Sequence, residues 1–168
     1  MNIINKNFFQ NILLYLPYFH YYPIYKSTIT ENERLKWVDS QTYSVNKHDS
    51  VEYLVNGILH REHDFPAIEW ENGNKEWCKN GLLDRDGDLP VVQWENGSQF
   101  WYKNNLCHRD NDLPAVEFFN GDKQWWKNGK LHRDGDLPAL IWNDGDKQWW
   151  KNGVLHRDGD LPAVECVH

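Results

Sequence analysis

The sequence predicts an all-β fold: a solenoid or meander of antiparallel β-hairpin repeats with a short N-terminal helical cap. Three observations predict it. Asn56, Asn80, Asn104, Asn128 and Asn152 stand 24 residues apart, and so do Pro66, Pro90, Pro114, Pro138 and Pro162; a fixed period of this size marks an architecture of stacked units. Asn-Gly and Asp-Gly pairs recur between short apolar runs, the strongest local hairpin signal, because both central residues of a type I′ turn need positive φ. Within the runs apolar and polar residues alternate, and helical spacing is missing from the repeats.

The elements follow in chain order. In residues 1–41, Phe9, Ile12, Leu13 and Leu16 fall at helical spacing and Pro17 ends the run. This is the expected cap, since stacked units need covered ends. The apolar stretch 8–25 contains Gln10, Asn11, His20 and two prolines, a poor transmembrane helix. No small-residue cleavage site follows it, so it is not read as a signal peptide. Ile12-Leu13-Leu14-Tyr15-Leu16-Pro17 resembles the start of an F-box, and F-box-like and membrane-interfacial roles both stay open. Residues 42–55 read as a degenerate half-repeat, with Glu52 and Tyr53 in register with Glu76 and Trp77. Four full units follow, 56–79, 80–103, 104–127 and 128–151, then a partial fifth, 152–168.

Composition changes where the repeats start. All 11 Gly lie at position 57 or later, every Tyr but Tyr102 lies before 56, and every Trp but Trp37 lies after it. In residues 1–55, Lys6, Lys26, Arg34, Lys36 and Lys47 balance Glu31, Glu33, Asp39, Asp49 and Glu52, so the net charge of −7 belongs to residues 56–168. Such a balance gives no general attraction to nucleic acid or anionic lipid. Cys78, Cys107 and Cys166 cannot close a disulfide framework and read as small apolar core residues in a reducing compartment.

Inside a unit, pairing across Asn72-Gly73 as a two-residue turn places Ile68 opposite Trp77 and Trp70 opposite Lys75. The expected structural core is therefore Trp70, Trp77, Trp94, Trp101, Phe118, Trp125, Trp142 and Trp149, with Ile68, Val92, Val116 and Leu140 on the same face. A second turn, Asn128-Gly129, folds Lys130-Leu131-His132 back on Trp125-Trp126-Lys127. Arg133-Asp134-Gly135-Asp136-Leu137-Pro138 then makes a corner. Its Asp oxygens are expected in Asx-type turns, beside Arg133. Stacking in one direction needs an even number of strands per unit, so the Leu-His and Ala-Val segments are expected to act as one long bent strand.

Two columns form a candidate binding surface. Tyr102, Trp126 and Trp150 alternate to the face opposite the core tryptophans. They are either covered by the following Leu (Leu131 for Trp126) or exposed as flat platforms for sugar, choline or peptide; burial is the expectation. Lys79, Lys103, Lys127 and Lys151 supply one cation per unit, each near an acidic turn or corner.

Other motifs carry no chemistry. His-Arg-Asp at 108–110, 132–134 and 156–158 lacks the rest of a kinase catalytic set. Asp84–Asp88 has a calcium-loop look, but a strand pattern follows where an EF-hand helix belongs. His60, His108, His132 and His156 recur at about 10 Å or more, two strands apart, too far to converge on one zinc ion. Each is expected to stack on the Trp across its turn.

The run Asp144-Gly145-Asp146, Trp150-Lys151-Asn152-Gly153, Leu155-His156 resembles the MORN-type repeat. The likeness covers residues 56–168. This unit is one residue longer than that family's, and Arg-Asp-Gly-Asp-Leu-Pro-Ala replaces its glycine-spaced strand. The resemblance implies a hairpin array for protein contacts or lipid association, with no catalytic residues. The same copies resemble uncharacterised 24-residue repeat proteins of large DNA viruses. The resulting expectation is a non-catalytic, intracellular, cytoplasmic scaffold (host cytoplasm if viral) for a protein partner, without cofactor or metal and without nucleic-acid or membrane binding. The alternatives are an aromatic-platform module for carbohydrate or quaternary amine, and MORN-like lipid association.

Overall fold

The computed structural model describes residues 42–167; the expected helical cap lies outside the described residues. Among them, all regular structure is β and every ladder is antiparallel. One twelve-stranded sheet runs the length of the array. Its meander passes through Thr42–Lys47, Ser50–Val55, Ile68–Trp70, Lys75–Glu76, Val92–Gln93, Gln99–Phe100, Val116–Glu117, Lys123–Gln124, Leu140–Ile141, Lys147–Gln148 and Val164–Glu165, with Ile58–Leu59 paired beside Ser50–Val55. Four short ladders project from it: Cys78–Lys79 with Leu82–Leu83, Tyr102–Lys103 with Leu106–Cys107, Trp126–Lys127 with Lys130–Leu131, and Trp150–Lys151 with Val154–Leu155.

The two turns of a unit differ although both contain Asn-Gly. At the tips of the short ladders both central residues have positive φ (50° at Asn128 and 75° at Gly129), the type I′ geometry expected of this dipeptide. Trp126 accordingly faces Leu131 and Lys127 faces Lys130. In the long sheet, Gly97 has φ of 93° while Asn96 does not share the left-handed region. Trp94 N–H donates to the Ser98 carbonyl and Gly97 N–H to the Trp94 carbonyl. This is a three-residue loop closed by a left-handed glycine. The Asn side chain stabilises it, with Asn72 Oδ1 accepting from Asn74 N–H at 3.0 Å and Asn96 Oδ1 from Ser98 N–H at 2.9 Å.

The extra loop residue moves the register by one, a correction to the expected pairing. Ile68 faces Glu76, Val92 faces Phe100, Val116 faces Gln124 and Leu140 faces Gln148. Trp77 and its counterparts fall beyond the ladder end, at the junction between the long sheet and the short ladder. There Trp101 N–H donates to the Ala115 carbonyl, and the Trp101 carbonyl accepts from His108 N–H. The expected bent strand is likewise interrupted. Lys130–Leu131 lies in the short ladder and Leu140–Ile141 in the long sheet, with the corner between them. Both still run against one arm, Lys123–Gln124 continuing into Trp126–Lys127, so two antiparallel arms per unit are preserved.

The core lies on one side of the long sheet. Val92, Phe100 and Val116 form its centre, and Leu83, Tyr102, Cys107, Phe118 and Trp126 pack against them. Ala67, Ala115 and Ala139, fully buried, leave room at the junctions for the neighbouring indoles.

Candidate interaction surface

The corners are welded. Trp77, Trp101, Trp125 and Trp149 are buried. The guanidinium carbons of Arg85, Arg109, Arg133 and Arg157 lie 3.7–3.9 Å from their ring centroids, a cation–π geometry. Arg61 covers Tyr53 in the same way at 3.5 Å. Each indole N–H donates to a corner carbonyl of its own unit, Trp125 Nε1 to Asp112 O at 3.0 Å. Each guanidinium also grips the preceding corner's carboxylate, Arg109 to Asp88 through two bonds of 2.7 Å and Arg133 to Asp112 at 2.9 and 2.8 Å. The expectation that Asp134 and Asp136 are satisfied beside Arg133 is corrected: Asp136 pairs with Arg157 of the next unit, and Asp134 with His132 and Lys127. Asx-type bonds occur in the long-sheet turns instead.

Histidine also serves the junctions. His132 Nδ1 accepts the Asn152 N–H of the next unit at 3.0 Å, which leaves the neutral ring's proton on Nε2, 2.9 Å from Asp134 Oδ1. His60 and His108 accept from Asn80 and Asn128 in the same way, and in the second unit Asp84 Oδ2 receives Asn104 N–H. Arginine therefore takes the stacking place expected of histidine.

These contacts set the charges. The Arg85 and Arg109 side chains hold Asp64 and Asp88 below the ordinary carboxylate range. Asp110, Asp134 and Asp158 are lowered by hydrogen bonds from His108, His132 and His156, with a further contribution from Lys103, Lys127 and Lys151. Burial pushes the Cys78 thiol up to about 11 and Cys107 to about 12. Cys166 is exposed, unlike the core position expected for it.

The candidate columns divide. Lys79, Lys103, Lys127 and Lys151 each pair with an acid at the following corner, in the next unit: Asp86, Asp110, Asp134 and Asp158. Tyr102, Trp126 and Trp150 are half-buried. Tyr102 and Trp126 pack into the apolar layer around Val92, Phe100 and Val116 rather than on an opposite face, and Trp126 and Trp150 spend their indole N–H groups on Gln124 and Gln148.

The expected core residues divide too. Trp77, Trp101, Trp125 and Trp149 are core; Phe118 and Trp142 are half-buried, and Trp70 and Trp94 are exposed. This correction follows from the turn. The row Trp70, Trp94, Phe118, Trp142 borders the long-sheet loops, where the sheet ends and the described residues cover the rings on one side only. Trp94 stands against Phe100 with centroids 4.5 Å apart, and Phe100 meets Phe118 edge-on at 5.9 Å. Trp70 Nε1 donates to Glu76 at 2.9 Å. The indole N–H groups of Trp94 and Trp142 have no partner among the described residues. Where Cys166 takes the aromatic slot, a shallow depression opens beside Trp142, Gln148 and Val164.

Acids that the sequence reading passed over line this row: Glu71, Glu95, Asp122, Asp144 and Asp146, on the adjoining loops. Among the described residues none of them forms a salt bridge, whereas Asp64, Asp88, Asp112 and Asp136 all do. Their recurrence beside the turn glycines was the available signal. Lys75 and Lys123 face Glu69 and Glu117 across their ladders, in register positions that alternate to the other side of the sheet from Ile68 and Val116.

Comparison of the chain with protein-family models, curated proteins and solved structures finds no match.

Proposed function

We propose that the chain is a non-catalytic scaffold whose aromatic row, Trp94 to Trp142, receives a protein partner. The observation that carries the reading is the row itself: large rings, exposed at Trp94 and half-buried at Phe118 and Trp142, beside acids that form no salt bridge among the described residues. Exposed aromatics grouped on one face are the usual anchors of binding surfaces. The MORN-type resemblance implies the same use. The pairing of every Lys in the column speaks against an anionic-lipid surface, which needs clustered free cations.

A photo-crosslinking residue in place of Phe119, 69% exposed at the edge of the row, tests the reading in the native cell. The expected result is a discrete protein adduct that disappears when Trp94→Ala is added. An adduct pattern unaffected by Trp94→Ala would refute it. A second reading, a quaternary-amine platform, is favoured by the same rings and acids, and is checked by choline titration against tryptophan fluorescence.

A further inference from the structure

We propose that the row Trp94–Phe118–Trp142 docks a cationic, proline-rich segment in the polyproline II conformation, one helical turn per repeat unit. The inference rests on the protein-binding reading above and names its partner's chemistry.

The rungs and the ligand share a period. Successive rungs are two strands apart in the same sheet, about 9.4–9.8 Å at ordinary strand spacing. A polyproline II helix repeats every three residues, about 9.3 Å, so every third side chain meets a rung with a drift of well under 1 Å per unit. An extended strand returns a side chain to one face about every 6.7 Å and meets only alternate rungs. An α-helical heptad advances about 10.5 Å and slips about 1 Å at each unit.

Donors and acceptors match as well. A polyproline II backbone has no internal hydrogen bonds, and its carbonyls are free to accept. Trp94 and Trp142, two units apart, each offer an indole N–H without a partner among the described residues, whereas the indoles of Trp70, Trp126 and Trp150 are occupied. Proline rings stacked on the open faces would place carbonyls within reach of these two donors. Recognition of preformed polyproline II by aromatic grooves follows this logic.

Charge complements the same ligand. Glu71, Glu95, Asp122, Asp144 and Asp146 border the row and form no salt bridge among the described residues; Asp122 and Asp146 spend one oxygen each on the Asn143 and Val167 N–H groups and keep their charge uncompensated. A basic residue at every third position of the ligand would run along this acidic margin while the prolines face the rings. Complementary charge of this kind fixes orientation and register.

The test titrates the full chain with an acetylated, amidated (Pro-Pro-Lys)5 peptide and with (Gly-Gly-Lys)5, which has equal length and charge but no preformed helix. Calorimetry and tryptophan fluorescence follow binding. The proline peptide should bind at least ~10-fold more tightly than the glycine peptide. Trp94→Ala and Trp142→Ala should each weaken it ~10-fold or more. Trp94→Phe, which keeps a ring and removes the donor, should weaken it ~5-fold, the value of one hydrogen bond of about 1 kcal/mol. Glu95→Gln should weaken it in low salt only. Urea midpoints of the variants exclude unfolding as the cause.

Equal binding of both peptides, or proline-peptide binding indifferent to Trp94 and Trp142, would overturn the proposal. Either outcome leaves the scaffold reading to stand or fall on the Phe119 crosslink. Saturable choline binding that depends on Trp94, with no peptide binding, would overturn both.

Discussion

Trp125→Ala and Trp94→Ala form a matched pair that tests how the two aromatic rows divide. Both replace one indole of the same array, but Trp125 is 7% exposed and Trp94 42%. Removing Trp125 empties the junction above Ala139, strips the surface under the Arg133 guanidinium at 3.9 Å, and leaves the Asp112 carbonyl without its 3.0 Å donor. A buried Trp→Ala change costs about 3–5 kcal/mol. The whole stability of a domain is about 5–15 kcal/mol, so the variant should be barely folded or strongly destabilised. With a urea m-value of about 1.5–2 kcal/mol/M, the midpoint should fall by about 2 M. Trp94 loses an open ring that leans on Phe100 and a donor with no partner among the described residues, and its removal should cost about 1 kcal/mol or less. Urea titration of the full chain, read by circular dichroism so that the deleted fluorophore does not matter, gives both values. Equal losses, or a larger loss at Trp94, would refute the division into a welded row and an open row.

Further outcomes follow from the junctions. In a double-mutant cycle, Arg133→Ala and Asp112→Ala should show a coupling of about 1–3 kcal/mol, whereas Arg133→Ala with Asp134→Ala should couple weakly, because the grip reaches back to the preceding corner; urea midpoints of the four proteins measure both. Asp64, Asp88, Asp110, Asp134 and Asp158 titrate below the ordinary value of 3.8, so the unfolded chain takes up protons first. Their stabilisation is complete above about pH 4 and is lost as pH falls through the lowered folded values; urea midpoints measured from pH 6 down to 2.5 should be flat and then drop, and a fall centred above pH 5 would contradict this. Vesicles containing phosphatidylinositol phosphate at physiological salt should not carry the protein in flotation. Co-flotation abolished by Lys→Glu at positions 79, 103, 127 and 151 would show that the lysine column acts free of its acids.

The tips of the short ladders were legible because Asn128-Gly129 has one low-energy option between two short strands, and the pairing of Trp126 with Leu131 follows from it. The same dipeptide at 72–73 and 96–97 misled because the decisive group lies outside the hairpin. Asn74 Oδ1 accepts Glu95 N–H at 2.9 Å and Ser98 Oγ accepts Phe119 N–H at 3.1 Å. The residue that lengthens each loop, Glu95 or Phe119, is thus held by the preceding unit's turn, 21 residues away. A one-residue change in loop length exchanges the faces of the following strand, which is why Phe100 rather than Trp101 stands opposite Val92 and Trp101 falls at the junction. The corner acids misled similarly. Local reading offers Asp136 the nearby Arg133, but the period carries Arg157 to it.

Comparing the units with one another separates what holds the array together from what is free to act. Arg61, Arg85, Arg109, Arg133 and Arg157 recur without exception, and so do the corner prolines. Every one of these arginines covers an aromatic ring, and each from Arg85 onward also grips the previous unit's carboxylate. Invariance inside the chain thus coincides with welding, because a junction works only if both units bring the same halves. The open row varies: among the described residues Trp94 and Trp142 carry donors without a partner, Phe118 has none, and the slot across the loop reads Asn74, Ser98, Asp122, Asp146. A uniform platform for a uniform ligand would have no use for such differences, since each rung would meet the same group. A partner with its own sequence would: it can place a carbonyl at Trp94, a purely apolar contact at Phe118 and a second carbonyl at Trp142. The alternation of donor, no donor and donor along an otherwise periodic array therefore favours a polypeptide over a repeating sugar or a lone quaternary amine.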